Sequence, residues 1–142
     1  ISFIIIIFKK MITKEIIKIA SNTKNVGLTR KYNFKSSLKN RICGDKIKLE
    51  LTVKNSKINS MKYETESCIY CEASASLLAS KIKNENISTI IKDLKSLKNI
   101  VKNNFNYPDN FKDFKMLMKK KNLNRISCIT LPFDAVLKAL KQ

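Results

Sequence analysis

Between Asp45 and Val101 the spacing of apolar residues changes from every second position to every third or fourth, and this change leaves few folds open. Ile47, Leu49, Leu51 and Val53 fall on one side of an extended segment, with Lys46, Lys48, Glu50 and Thr52 on the other, as in a half-buried strand. Lys54, Asn55, Ser56 and Lys57 supply turn chemistry, and residues 58–65, with Met61 and Tyr63 two apart, read as the return strand of a hairpin. A further strand over residues 29–34 would complete a small three-stranded antiparallel sheet. After Cys71 the run Ala73-Ser74-Ala75-Ser76-Leu77-Leu78-Ala79 carries small residues on every side, which suits a helix packed closely on that sheet. Asn86 or Ser88 can cap a second helix bearing Ile87, Ile90, Ile91, Leu94, Leu97 and Val101. Pro108 and Asp109 open another, with Phe111, Phe114, Leu117 and Met118 along one face, and a last helix follows Pro132. The expected fold class is α+β, a small three-stranded antiparallel sheet covered by about five helices.

At 142 residues the chain suits one domain with one core. Residues 1–8 are almost wholly apolar, but a bilayer span needs about 20 residues, so no membrane segment is expected. Met11 opens what reads as an ordinary cytosolic start. The expected layout is an apolar extension over residues 1–10 and a single domain over 11–142, in the cytoplasm. Formal net charge is +18, yet the basic residues are spread along the chain and only Arg30, Arg41 and Arg125 are arginine. No aromatic residues interleave with a basic run, so specific nucleic-acid binding is not expected, while attraction to acidic proteins is.

The chain contains no histidine and four cysteines, Cys43, Cys68, Cys71 and Cys128. Cys43-Gly44-Asp45 precedes the alternating strand, Cys68 ends the return strand, and Cys128 precedes the last helix. Thiolates at element ends can converge on one sheet edge without burying charge in the core, and helix N-termini near Cys71 and Cys128 would favour the thiolate form. Three thiols and one carboxylate make a four-coordinate site for zinc, or for an iron-sulfur cluster with one non-cysteine ligand. A buried, purely structural thiol is the alternative for any single one of them. Cys68-Ile69-Tyr70-Cys71 is a lone C-x-x-C, which supports neither a zinc ribbon nor a thioredoxin-like pair. A structural zinc module remains open at this point, and would unfold when its metal is removed.

Three segments resemble the motifs of the IscU/SufU/NifU N-terminal family of iron-sulfur cluster assembly scaffolds. They are Cys43-Gly44-Asp45, the string from Ser67 through Cys68 to Ala73-Ser74-Ala75-Ser76, and Arg125-Ile126-Ser127-Cys128-Ile129-Thr130-Leu131. The resemblance implies that Cys43, Asp45, Cys68 and Cys128 surround iron and a transient [2Fe-2S] cluster, or zinc, with Asp45 as fourth ligand or as a group that promotes release. It implies a cysteine desulfurase as sulfur donor, Cys43 or Cys128 as persulfide acceptor, and apo iron-sulfur proteins as recipients. The implied role is a scaffold, not an enzyme. Cys71 stands where the family has a small residue, and Ser67 where it has glycine. Ser127 occupies the place of the histidine found in IscU-type scaffolds, and Lys121-Asn122-Leu123-Asn124 that of their proline-rich chaperone-binding segment. The long interval between Cys68 and Cys128 resembles the SufU-type subgroup, so a zinc-dependent sulfurtransferase that carries persulfide sulfur is the alternative.

Overall fold

A computed structural model describes residues 13–103 and 106–141. The apolar extension expected over residues 1–10 lies outside the described residues. The chain runs α1 (Lys14–Ala20), β1 (Phe34–Lys39), β2 (Lys46–Lys54), β3 (Lys57–Glu66), α2 (Ile69–Lys81) and α3 (Ile87–Asn103). Two 3₁₀ segments, Asp109–Met116 and Lys120–Arg125, then lead into α4 (Ile126–Leu140). The strands pair antiparallel in the order β1-β2-β3. The expected α+β architecture, a three-stranded antiparallel sheet under a helical layer, is the one observed.

The hairpin forms where period two is strongest. Ile47, Leu49 and Leu51 of β2 and Ile58, Met61 and Tyr63 of β3 are all buried. Asn55 and Ser56 turn the chain with φ of 54° and 62°, the two left-handed residues of a type I′ turn, whose twist matches that of the strands it joins. One register shift between Thr52 and Val53 leaves Asn59 as the extra residue of a bulge. Leu49 nonetheless pairs with Tyr63, so both point into the same core.

Helix α2 is buried from Tyr70 through Ala79 except at Glu72, and its alanines and serines let it approach α1, α4 and β3 together. Ser74 Oγ, wholly buried, donates to the Ile129 carbonyl at 2.6 Å, pinning α2 to the first turn of α4. Helix α3 begins at Ile87, directly after Asn86, whose carbonyl accepts from Ile90 N. Ile90, Leu94, Leu97 and Ile100 form its buried stripe; the side chain of Val101 lies outside the described residues.

Four sequence expectations are corrected. The first strand occupies Phe34–Lys39, not 29–34, because the backbone N–H groups of Thr29 and Arg30 donate to the Glu50 carboxylate and cannot join a ladder. Glu50, expected on the solvated side of β2, is therefore buried. The segment after Pro108 is 3₁₀, broken at Phe111. Phe111, Phe114 and Leu117 recur every three residues, which stacks them on one face at three residues per turn, and all three are fully buried. The last helix starts at Ile126, with Pro132 inside it. Ile129, Phe133 and Val136 are buried along its inner face, and that burial outweighs the one backbone bond that Pro132 cannot make.

Candidate metal centre

Residues 40–45 form a closed loop before β2. Asn40 N donates to the Asp45 carbonyl (2.7 Å), Gly44 N to the Asn40 carbonyl (2.8 Å), and Ile42 N to Asn40 Oδ1 (2.9 Å). Gly44 sits at φ +79°, a conformation that favours glycine. The loop presents Cys43 at the surface beside Ile42, which is 86% exposed, and turns Asp45 inward.

Asp45 reaches the end of the hairpin. Its Oδ1 accepts from Cys68 N at 3.1 Å, and the Cys68 thiol donates to Oδ2 at 3.4 Å. Cys68 is the residue that caps α2, so this carboxylate lies at the positive end of a helix dipole. Cys128 comes from the opposite side. It lies in the first turn of α4 rather than before it, is buried, and brings its sulfur to 3.3 Å from that of Cys43. The donor atoms of Cys43, Asp45 and Cys128 all lie within 4.8 Å of one another. Cys68 joins them through Asp45 and by lying against Cys128.

Three thiols and a carboxylate thus meet at one edge of the sheet, carried by the β2 entry loop, the α2 cap and the first turn of α4. Two thiolates on one tetrahedral zinc or iron stand about 3.8 Å apart at metal-sulfur distances of about 2.3 Å. The 3.3 Å between Cys43 and Cys128 is within about 0.5 Å of that value. The donor set therefore fits a thiophilic metal ion.

The helix N-terminus does not dominate the acidity of Cys128, as the sequence suggested it would. Burial, followed by hydrogen bonds to Cys43, Asp45 and Cys68, raises its pKa, so the metal-free pocket keeps the proton and a bound cation would displace it. Cys71 is not part of the cluster. It is fully buried, and burial pushes its pKa up to about 12 despite a hydrogen bond to Ser67.

That shift sets a pH dependence for the fold. A thiol whose native pKa exceeds its unfolded value of 9.0 stabilises fully below pH 9 and loses that contribution as pH rises toward 12. Urea unfolding at pH 8 and 10.5 should show a loss of stability that is smaller in Cys71→Ala by about 2 kcal/mol. Equal losses in the two proteins would show that the Cys71 proton is not held by the fold.

Two residues that fix the loops on either side of β1 were not singled out from the sequence. Asn40 closes the Cys43 loop through three hydrogen bonds, and an Asx residue two positions before a loop amide was the available signal. Glu50 fastens the residue 29–30 loop, and nothing in the alternation of β2 marked it.

The sequence pattern of the NifU-like N terminal domain matches residues 11–141. The chain belongs to this family. A NifU-like relative, the "Iron-sulfur cluster assembly scaffold protein IscU" of Thermotoga maritima, is 26% identical over 137 residues, covering 96% of each protein. Two crystal structures share the NifU-like fold at 20% identity. The N-terminal NifU-like protein of Brucella abortus superposes with a TM-score of 0.82 over 91% of each chain. The SUF-system scaffold protein described as putative, from Fervidobacterium islandicum, does so with 0.84 over 92% of this chain and 97% of its own.

Proposed function

We propose that residues 11–142 act as one unit, a scaffold on which a [2Fe-2S] cluster is assembled and from which it is handed to apo-proteins. The observation that carries this reading is the convergence of Cys43, Cys68 and Cys128 with Asp45 at one accessible sheet edge. Membership of the NifU-like family and the scaffold name of the Thermotoga relative support it. The protein is a carrier, not an enzyme, and iron and sulfide are its cargo.

Sulfur arrives as a persulfide on a cysteine desulfurase. Cys43 is the favoured acceptor because it is the exposed thiol on a surface loop, whereas Cys128 is buried. As a thiolate it attacks the outer sulfur, forming Cys43–S–SH and releasing the desulfurase thiolate. Two electrons from a separate donor then reduce the sulfane sulfur to sulfide, which joins iron held by the remaining thiols. Asp45 completes the ligand set with a hard oxygen. That oxygen binds iron-sulfur or zinc less firmly than a fourth thiolate would, which favours release.

A core of more than two dozen buried apolar side chains, most of them remote from the thiols, supports a folded metal-free form and speaks against a purely structural zinc module. No helix among the described residues is long and apolar enough to cross a membrane. The four free thiols fit a reducing compartment, and we assign the protein to the cytoplasm. A SufU-type sulfur carrier holding zinc on the same donors is the second reading. It is favoured by the absence of histidine and by the 3.3 Å approach of an exposed thiol to a buried one.

Anaerobic incubation with ferrous iron, cysteine and a desulfurase tests the proposal. Sulfide-to-iron charge-transfer absorption with equal iron and sulfide, lost on transfer to an apo-ferredoxin, is the expected result. Tightly held zinc with no cluster would move the assignment to the sulfur carrier. Asp45→Ala separates the two further: a scaffold variant should hold its cluster several-fold longer during transfer, while a zinc carrier should lose metal.

A further inference from the structure

Away from the thiols, a groove of about 620 Å³ runs over the start of β1 and the middle of β2. Its walls carry Arg30, Tyr32, Lys35, Lys48, Glu50 and Lys138. Four of these are cations. The one carboxylate is already engaged, since Glu50 accepts from Thr29 N at 2.8 Å, from Thr29 Oγ1 at 3.3 Å and from Arg30 N at 3.1 Å. Lysines elsewhere do find acidic partners, as Lys46 does with Glu66 and Lys81 with Asp113. Among the described residues, Arg30, Lys35, Lys48 and Lys138 are in no such pair.

The groove is also fixed in shape. Glu50 holds Arg30 in a left-handed conformation at φ 63°, which sets the course of the loop leading to Tyr32. Tyr32 is 41% exposed, with Lys35 Nζ 5.2 Å from its ring centroid. Lys138 Nζ donates to the Ser37 carbonyl at 3.1 Å, tying the last turn of α4 to β1. Lys138 stands about 15 Å further along the α4 axis than Cys128, so an occupant of the groove leaves the thiol pocket open.

We propose that this groove docks an acidic segment of a partner protein, with carboxylates against the four cations and an apolar side chain against Tyr32 and Leu28. Charge complementarity names the occupant. A nucleic-acid strand fits the groove less well, because it offers one arginine, one aromatic ring and no run of stacking faces. A lone small anion would leave most of the volume empty.

The test uses the full chain and a fluorescein-labelled peptide of six glutamates around one leucine, read by anisotropy. Binding is expected to weaken several-fold between about 50 and about 150 mM salt. Lys35→Glu with Lys138→Glu should weaken it at least about tenfold, and the neutral pair Lys35→Gln with Lys138→Gln should weaken it in the same direction. Lys57→Glu with Lys95→Glu changes the net charge equally on exposed sites outside the groove, and should change binding by less than about twofold. Equal weakening by both charge-reversed pairs would mean attraction to a basic surface at large and would overturn the proposal. So would tighter binding of an oligothymidylate of equal charge through Lys35 and Lys138. Cys43 alkylation by iodoacetamide should proceed at the same rate with the peptide bound; protection of Cys43 would locate the peptide at the thiols instead and also overturn it.

Discussion

Replacing Cys128 by Ala is expected to lower the affinity for a divalent metal on the order of 100-fold or more, while changing fold stability by only about 1 kcal/mol. The thiol is buried in the first turn of a helix packed on α2 and β1, so it has little freedom to be replaced by another donor. Cys43, by contrast, lies on an exposed loop. On the proposed ligand set, losing Cys128 would leave two thiols and one carboxylate, with water in the fourth position. Because alanine is smaller than cysteine by one sulfur atom, the void it creates is small. Cobalt(II) titration reads the effect directly, since thiolate-to-cobalt charge transfer scales with the number of bound thiolates. Undiminished affinity and band intensity in Cys128→Ala would remove Cys128 from the ligand set. The same variant should fail to accumulate a cluster under reconstitution.

The largest effect on the fold is expected from Phe114→Ala, about 3–5 kcal/mol, a fall in Tm on the order of 10 °C. Phe114 is fully buried and meets Phe133 edge-on at 5.1 Å between centroids, with Phe111 at 6.0 Å on its other side. Removing the ring takes away the transfer energy of a large apolar group, one aromatic pair contact, and the support of a cavity wall that the 3₁₀ backbone cannot fill by collapsing. Phe133 and Cys128 belong to the same helix, so the loss should also reach the thiols. Metal affinity is expected to fall in Phe114→Ala, though less than in Cys128→Ala, and Phe114→Leu should recover most of both properties. Thermal unfolding by circular dichroism, run beside the cobalt titration, checks the two together. A Tm within 2–3 °C of the parent, roughly the shift produced by 1 kcal/mol in a chain of this size, would show that Phe114 contributes no more than an ordinary surface residue.

How much of this was legible depends on whether burial and period agree. In the hairpin and in α3 they largely do: Ile47, Leu49 and Leu51, and Ile90, Leu94 and Leu97, recur at the expected spacing and are covered by the core, with Glu50 the exception. Helix α2 was legible for another reason, since only small side chains allow burial on every side. β1 was not, because Phe34–Lys39 offers just two large apolar residues, and the force that excludes residues 29–30 from it, a buried glutamate, comes from another strand. Pro132 misled in a different way. Proline is common at the first position of a helix, yet here it is an interior residue carried by the packing around it. The thiol cluster was visible as three cysteines at element ends and in the motifs around them. Its closure by Asn40 was not, because no periodicity records which loop amide a side chain will meet.

Cys43 and Cys128 are 85 positions apart in the chain. The pocket is thus a property of the finished molecule and not of any local segment. During synthesis, the entry loop and the α2 cap can take shape long before Cys128 emerges, but none of these partial chains brings Cys43, Asp45, Cys68 and Cys128 together. Helix α4 closes the site. On the proposed scaffold reading, loading with metal would therefore report that the chain from β1 to α4 has folded, and a partial chain lacking α4 would not sequester iron and sulfur.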